Sequence, residues 1–161
     1  MNADSLRTMT EKLIVPVFDP AAYFSGKLGA YGVFVDRFGS LRRQFHVTVT
    51  GRRTEHGFQL DESFVYDDGE TEMRRWDVTE VGHGRYTGTC ADVIGHATGC
   101  LSDNMLSWRY KFRLPLYGRK ISVTFDDVMV LQDAGILINR AVVSKWGIKL
   151  GEVLISFRPL P

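Results

Sequence analysis

Long apolar runs are missing from this 161-residue sequence. No stretch approaches the roughly 18 consecutive apolar residues that a membrane-crossing helix needs. The opening MNADSLRTMTEKLIVPVF has neither the apolar centre of a secretion signal nor a lipobox cysteine. A cytoplasmic protein is therefore expected, or a periplasmic one or a lipoprotein if the sequence is a truncated piece. Cysteine is scarce. Cys90 and Cys100 are too few for a disulfide scaffold, although one bridge between them stays open, and they lack the CxxC or His spacing of a zinc site. A charge excess is also absent, with 20 Lys and Arg against 19 Asp and Glu. Phosphate backbones demand clustered cations, so nucleic acid is not an expected partner. The local patch of Arg42, Arg43, Arg52 and Arg53 reads as the solvated surface of one hairpin ahead of an anion site.

Catalytic signatures are missing too. Ser63, Ser107 and Ser122 have no GxSxG context. The glycines of GKLGAYG precede a strand and not a helix, so they make no dinucleotide or phosphate loop; Gly29 and Gly32 read instead as bending points of that strand. His46, His56 and His83 are scattered, and His96 in VIGHATG reads as a core or loop histidine ahead of one at a barrel mouth. No catalytic residue, metal or cofactor is assigned.

What the sequence has in quantity is strand signal. Residues 1–18 read as an arm. DPAAYFSG (19–26) gives a short helical turn, with Asp19 as N-cap, Pro20 at the first position and Gly26 as the stop. In NMLSWRYKFRL, Leu106, Trp108, Tyr110, Phe112 and Leu114 share one parity, while Ser107, Arg109, Lys111 and Arg113 take the other. That alternation makes one buried and one wet face. Similar segments at 29–37, 42–51, 56–66, 71–80, 85–95, 119–131, 136–145 and 150–157 bring the count to nine. Short turns between them predict a single all-β domain over 19–161: one antiparallel meander closed into a barrel of about 8–10 strands. A sandwich is the rival, and 96–103 is the one candidate for the long crossing connection it would need.

Turn lengths set the registers. A two-residue turn at Tyr117-Gly118 pairs Phe112 with Val123, Tyr110 with Phe125 and Trp108 with Asp127. A two-residue turn at Asp133-Ala134 pairs Asp127 with Arg140. A three-residue turn at Asp67-Asp68-Gly69 pairs Leu60 with Trp76 and Glu62 with Arg74. One at Gly82-His83-Gly84 sets Arg74 opposite Asp92. The interior is thus expected to hold Glu62, Arg74, Asp92, Asp127 and Arg140 among Trp76, Trp108, Tyr110 and Phe125. Buried charges must pair, or meet water or ligand.

Three readings follow from these nine residues. An ion network fixes strand register; a polar floor underlies an apolar ligand cavity that Met129 also lines; or an interior acid, Asp127 or Asp92, moves a proton with Arg140 as stabiliser, in an isomerase, cyclase or hydratase. As a function, binding of a hydrophobic or amphipathic small molecule, fatty-acid or lipid-like, is preferred over an enzyme and over a purely structural or interaction barrel. A monomer or a dimer is expected. Within ISVTFDDVMVL (121–131), parity sends Asp127 inward and Asp126 outward.

FDPAAYFSGKLGAYGVFVDRFGSL, LDESFVYDDGETEMRRW, YTGTCADVIGHATG, VTFDDVMVL and INRAVVSKWGIKLGEV, in this order, resemble an uncharacterised bacterial family, domain of unknown function 3833, over about residues 17–157. The resemblance implies a lipocalin-like (calycin-type) β-barrel. It implies no established activity, so no site residue is carried over.

Overall fold

A computed structural model describes residues 13–116 and 118–161. These residues form ten antiparallel strands: β1 (Gly26–Asp36), β2 (Leu41–Arg53), β3 (Gly57–Tyr66), β4 (Thr71–Gly82), β5 (Arg85–Thr89), β6 (Val93–Ser102), β7 (Met105–Leu116), β8 (Arg119–Leu131), β9 (Leu137–Lys145) and β10 (Ile148–Pro159). Each pairs with its neighbour in sequence, and β10 closes on β1. A closed meander leaves no free sheet at its ends, which is how an all-β chain of this size avoids edge pairing.

The expected strand at 85–95 is in fact two strands. The chain corners at 90–92, where Asp92 takes a left-handed φ of 68° and Val93 N–H donates to the Cys90 carbonyl. Asp tolerates that conformation better than most residues. The stretch at 96–103, weighed as a crossing connection, falls within β6 and its turn. A bulge at 95–97, opposite Tyr110, lets β6 reach β7, and it leaves His96 exposed.

A meander sends alternate turns to opposite ends. The β2–β3, β4–β5, β6–β7 and β8–β9 turns share one end with the helical turn α1 (Pro20–Tyr23). Asp19 caps α1 by accepting from Ala22 N–H at 3.2 Å. The turn carries Phe24 onto Phe58 and Phe157, with ring centroids 5.6 and 6.2 Å apart. Phe18 and Pro20 are fully buried there, and the Tyr23 hydroxyl donates to the Gly135 carbonyl at 2.7 Å. This end is plugged by aromatic packing. At the opposite end, the mouth, the inward residues Phe34, Phe45, Tyr66, Leu114, Ile121 and Val153 are only partly buried. The first twelve residues of the arm lie outside the described residues.

Candidate functional site

The register between β3 and β4 is the expected one, with Leu60 opposite Trp76 and Glu62 opposite Arg74. Arg74 nevertheless takes a different partner. Its guanidinium donates to both oxygens of Glu72, at 2.8 and 3.1 Å, and Glu72 also accepts from the Tyr66 hydroxyl at 2.8 Å. Glu72 and Arg74 are two residues apart on one strand, so they share the inward face. The guanidinium plane lies between two rings, 4.7 Å from the Phe64 centroid and 4.6 Å from that of Phe112. Stacking of this kind holds an arginine in one orientation. Burial pushes Glu72 up, but the Arg74 hydrogen bonds and charge prevail and hold it below its ordinary range. Burial lowers Arg74, yet Glu72 outweighs it, and the guanidinium stays charged. Glu62 is left without that bond. Desolvation pushes it up to about 7, against the pull of the Arg74 charge and the Trp76 indole.

The second group lies deeper. β7 and β8 pair as expected, with Phe112 opposite Val123, Tyr110 opposite Phe125 and Trp108 opposite Asp127; Tyr117 of that turn lies outside the described residues. Asp127 is 7% exposed, so it does point inward. The expected Asp127–Arg140 pair is wrong by one residue. The β8–β9 connection is a 3-10 turn over Asp133–Gly135, with Gly135 at φ 74° and Gln132 N–H bonded to the Ile136 carbonyl. Leu131 therefore pairs with Leu137, and Asp127 with Ala141. The slip turns Arg140 to the outer wall, where it forks onto Glu152 at 2.5 and 3.1 Å. In its place Asn139 enters the interior and donates from Nδ2 to Asp127 Oδ2 at 3.0 Å. Asp127 Oδ1 and Asn139 Oδ1 are both buried with no hydrogen-bond partner among the described residues. Desolvation raises Asp127 to about 7, against the Asn139 bond and with the help of the Asp126 and Glu62 charges. A proton on Asp127 turns one of its oxygens from an acceptor into a donor and removes the buried charge.

Between the two groups stands Tyr110, its hydroxyl held un-ionised by burial and the Asp127 charge. Tyr110 stacks on Phe125 at 5.0 Å and meets Trp76 edge-on at 5.2 Å; Trp76 meets Trp108 at 5.7 Å. All four expected aromatics are buried and in mutual contact. Trp108 fits because β5 and β6 present Gly88 and Gly99 beneath its indole, each leaving about the space of one Cβ.

Asp92 is the second misplaced charge. The β4–β5 register is as expected, but the ladder stops at Asp77 opposite Thr89. Asp92 turns outward at the corner and pairs with Lys120 at 2.9 Å. With β5 ended, the stretch of β4 around Glu72 and Arg74 has no neighbour on that side. The result is a recess in the barrel wall of about 250 Å³, lined by Glu72, Arg74, Arg75, Asp77, Cys90 and Asp92 among others. Arg74, with its side chain 17% exposed, reaches solvent through this gap. Burial pushes the Cys90 thiol up to about 11. Iodoacetamide at pH 8 should therefore alkylate exposed Cys100 first and Cys90 at least tenfold more slowly, at roughly the rate its small thiolate fraction allows; equal labelling by mass spectrometry would refute this placement. Both cysteines are free.

A separate groove of about 650 Å³ runs along the outer wall across β3, β2, β1, β10 and β9, floored by Tyr31, Val33, Val65, Ile138 and Leu154. It faces away from the interior charges. Of the local arginine patch, Arg43 is at the mouth, over the Tyr66 ring at 3.5 Å and bonded to Asp68 and Glu70. Arg52 covers Gln59 on the outside.

Comparison with known proteins places this geometry in context. The profile of "Protein of unknown function (DUF3833)" matches residues 3–159, and the chain belongs to that family. No curated protein matches it. Among solved structures, the S-type phycobiliprotein lyase CPES from Guillardia theta superposes with a TM-score of 0.64 at 6% identity, covering 87% of this chain and 90% of that one. At such low identity the likeness is one of fold, and it makes this a lipocalin-like barrel. No helix among the described residues is long and apolar enough to cross a membrane.

Proposed function

We propose that this DUF3833 protein binds a small amphipathic molecule, with its polar head at the Glu62–Glu72–Arg74 group and its apolar part against the interior aromatics. The carrying observation is a charge imbalance. Among the described residues, three inward acids, Glu62, Glu72 and Asp127, face one interior guanidinium, that of Arg74; Arg43 stands at the rim on other carboxylates. An aromatic interior does not tolerate uncompensated carboxylates, so protons or a ligand must offset them. A head that donates hydrogen bonds, such as an alcohol, amide or amine, fits better than a fatty-acid carboxylate. An ionised carboxylate would add to the surplus. The proton-transfer alternative finds less support. Its stabiliser, Arg140, and one of its acids, Asp92, are on the outer wall, and Asp127 faces Asn139.

The test is competition at pH 8 between an alkylamine, a fatty alcohol and a fatty acid of one chain length, read by quenching of the buried tryptophans. Native mass spectrometry of protein purified without organic solvent provides a second readout. The amine and alcohol should bind more tightly than the acid, and Glu62→Gln with Glu72→Gln should weaken the amine selectively. Absence of binding by all three, or preference for the ionised acid, overturns the reading.

A further inference from the structure

Five turns ring the mouth, and among the described residues two of them carry large aromatics into solvent. Trp146, at the tip of the β9–β10 turn, is 87% exposed, and Phe38, at the tip of the β1–β2 turn, is 78% exposed. These tips are neighbours, because β1 pairs with β10 and Arg37 N–H donates to the Leu150 carbonyl at 2.9 Å. Exposed Leu41, Ile148 and Leu150 continue the apolar rim.

The backbone gives an independent reason to single out Trp146. Lys145 pairs with Ile148, leaving Trp146 and Gly147 as a two-residue turn with φ of 52° and 75°. Such a turn is best made by Asn-Gly, and a bulky side chain in the left-handed region is strained. A tryptophan there buries nothing and fits its own backbone poorly. Strain retained without a packing return points to use of the side chain elsewhere.

The charges beside the tips have one dominant sign. Lys145 lies over the Trp146 ring at 4.6 Å and Arg37 over Phe38 at 4.7 Å. The nearby acids are already engaged, Asp36 by Arg42 and Glu152 by Arg140 and Lys149. At the same end, the acidic β3–β4 turn has Asp68 and Glu70 bound to Arg43. Aromatic tips flanked by cations match the interface of an anionic bilayer: the rings seat at headgroup level, and Lys and Arg reach the phosphates.

We infer that the mouth end docks on an anionic lipid membrane surface through Trp146 and Phe38, with Arg37 and Lys145 supplying charge contacts. This is a surface contact and not a span, and it stands independently of the ligand reading.

The test uses the full chain with phosphatidylcholine vesicles made with and without phosphatidylglycerol. Wild-type protein should co-sediment with the anionic vesicles, less so as salt rises. Its emission should shift to the blue, because Trp76 and Trp108 are already buried and only Trp146 can change environment. Trp146→Asn and Phe38→Ser should each weaken binding by roughly tenfold or more. Trp146→Asn should also raise the melting temperature by relieving the turn, so loss of binding cannot come from misfolding. No co-sedimentation of wild type at low salt, or unchanged binding by Trp146→Asn, overturns the inference. So does a dimer seen by light scattering that Trp146→Asn dissolves while wild type ignores vesicles, which would make the tips a contact between two copies of the chain.

Discussion

Asp127→Asn is expected to raise the melting temperature at pH 8 and to remove much of the pH dependence of stability between about pH 4 and 7. Removing a buried carboxylate usually does harm, because a cation is then left alone. Here no cation among the described residues is bonded to it, and the pull of the more distant Arg74 does not offset its burial. Asp127 has Asn139 as its one side-chain hydrogen-bond partner and is raised to about 7 by burial. The sign follows from proton binding. Between about pH 4, where an unfolded Asp titrates, and 7, the folded chain holds a proton that the unfolded chain has released, so stability falls as pH rises through that window. The full shift corresponds to at most about 4 kcal/mol, and relaxation around the ionised group reduces it. Asn at 127 is a permanently neutral isostere. A gain of about 1–3 kcal/mol, or roughly 3–10 °C, is expected at pH 8, with little change at pH 4.5. Glu62, raised to about 7 by burial, acts in the same direction and keeps part of this pH dependence in the variant, whereas Glu72, Asp36 and Glu152 act in the opposite direction. Their partners hold them below the ordinary range, so their stability is present at neutral pH and is lost in strong acid. The wild-type optimum should therefore sit near about pH 5. Thermal melts from pH 3 to 9 would show it, and an equal or lower melting temperature for Asp127→Asn at pH 8 would refute the isolated acid.

The same residue shows how far the sequence could be read. Parity alone separates Asp127 from Asp126, and the pairing of β7 with β8 needs only the length of one turn. Arg140 is misplaced because a two-residue turn is expected at Asp133-Ala134, where the chain makes a three-residue turn over Asp133–Gly135. Its Asp-x-Gly signature is the one at Asp67-Asp68-Gly69, where a three-residue turn with the glycine left-handed gave the correct register. Treating both alike would have put Asn139 and not Arg140 inside. Glu72 was equally legible, since it shares the parity of Arg74 and is two residues away. Asp92 was not. The β4–β5 register extends correctly to it, but nothing in TCADVIG announces that the chain corners there and leaves the wall open. Nor does a strand pattern show which of two inward glutamates an arginine selects; that choice depends on the Phe64 and Phe112 rings that fix its plane.

The largest single-residue loss of stability should come from Gly51→Ala, near the C-terminal end of β2. Gly51 lies against the C-terminal end of α1, and a Cβ there would overlap the Phe24 carbonyl oxygen, with the carbonyl carbon at 2.7 Å and Leu60 Cδ2 at 3.0 Å. A side chain in the way can rotate; a peptide carbonyl cannot. Phe24 N–H is bonded to the Pro20 carbonyl at 3.0 Å, and its ring is packed on Phe58 and Phe157. One methyl group would thus have to lift the whole helical turn, exposing Phe18 and Phe24 and unplugging that end of the barrel. Overpacking against backbone with loss of two buried aromatics places the cost at about 3–5 kcal/mol, a fall of roughly 6–15 °C. Gly29→Ala is the matched control in β1, since its Cβ would meet only the flexible Leu160 side chain, at 3.4 Å and beyond. That variant should stay within about 0.5 kcal/mol of wild type. If both variants melt alike, the helical turn is not seated in the barrel end. If only Gly51→Ala falls, the glycine is there because the plug needs the space, whatever its intrinsic cost to a strand.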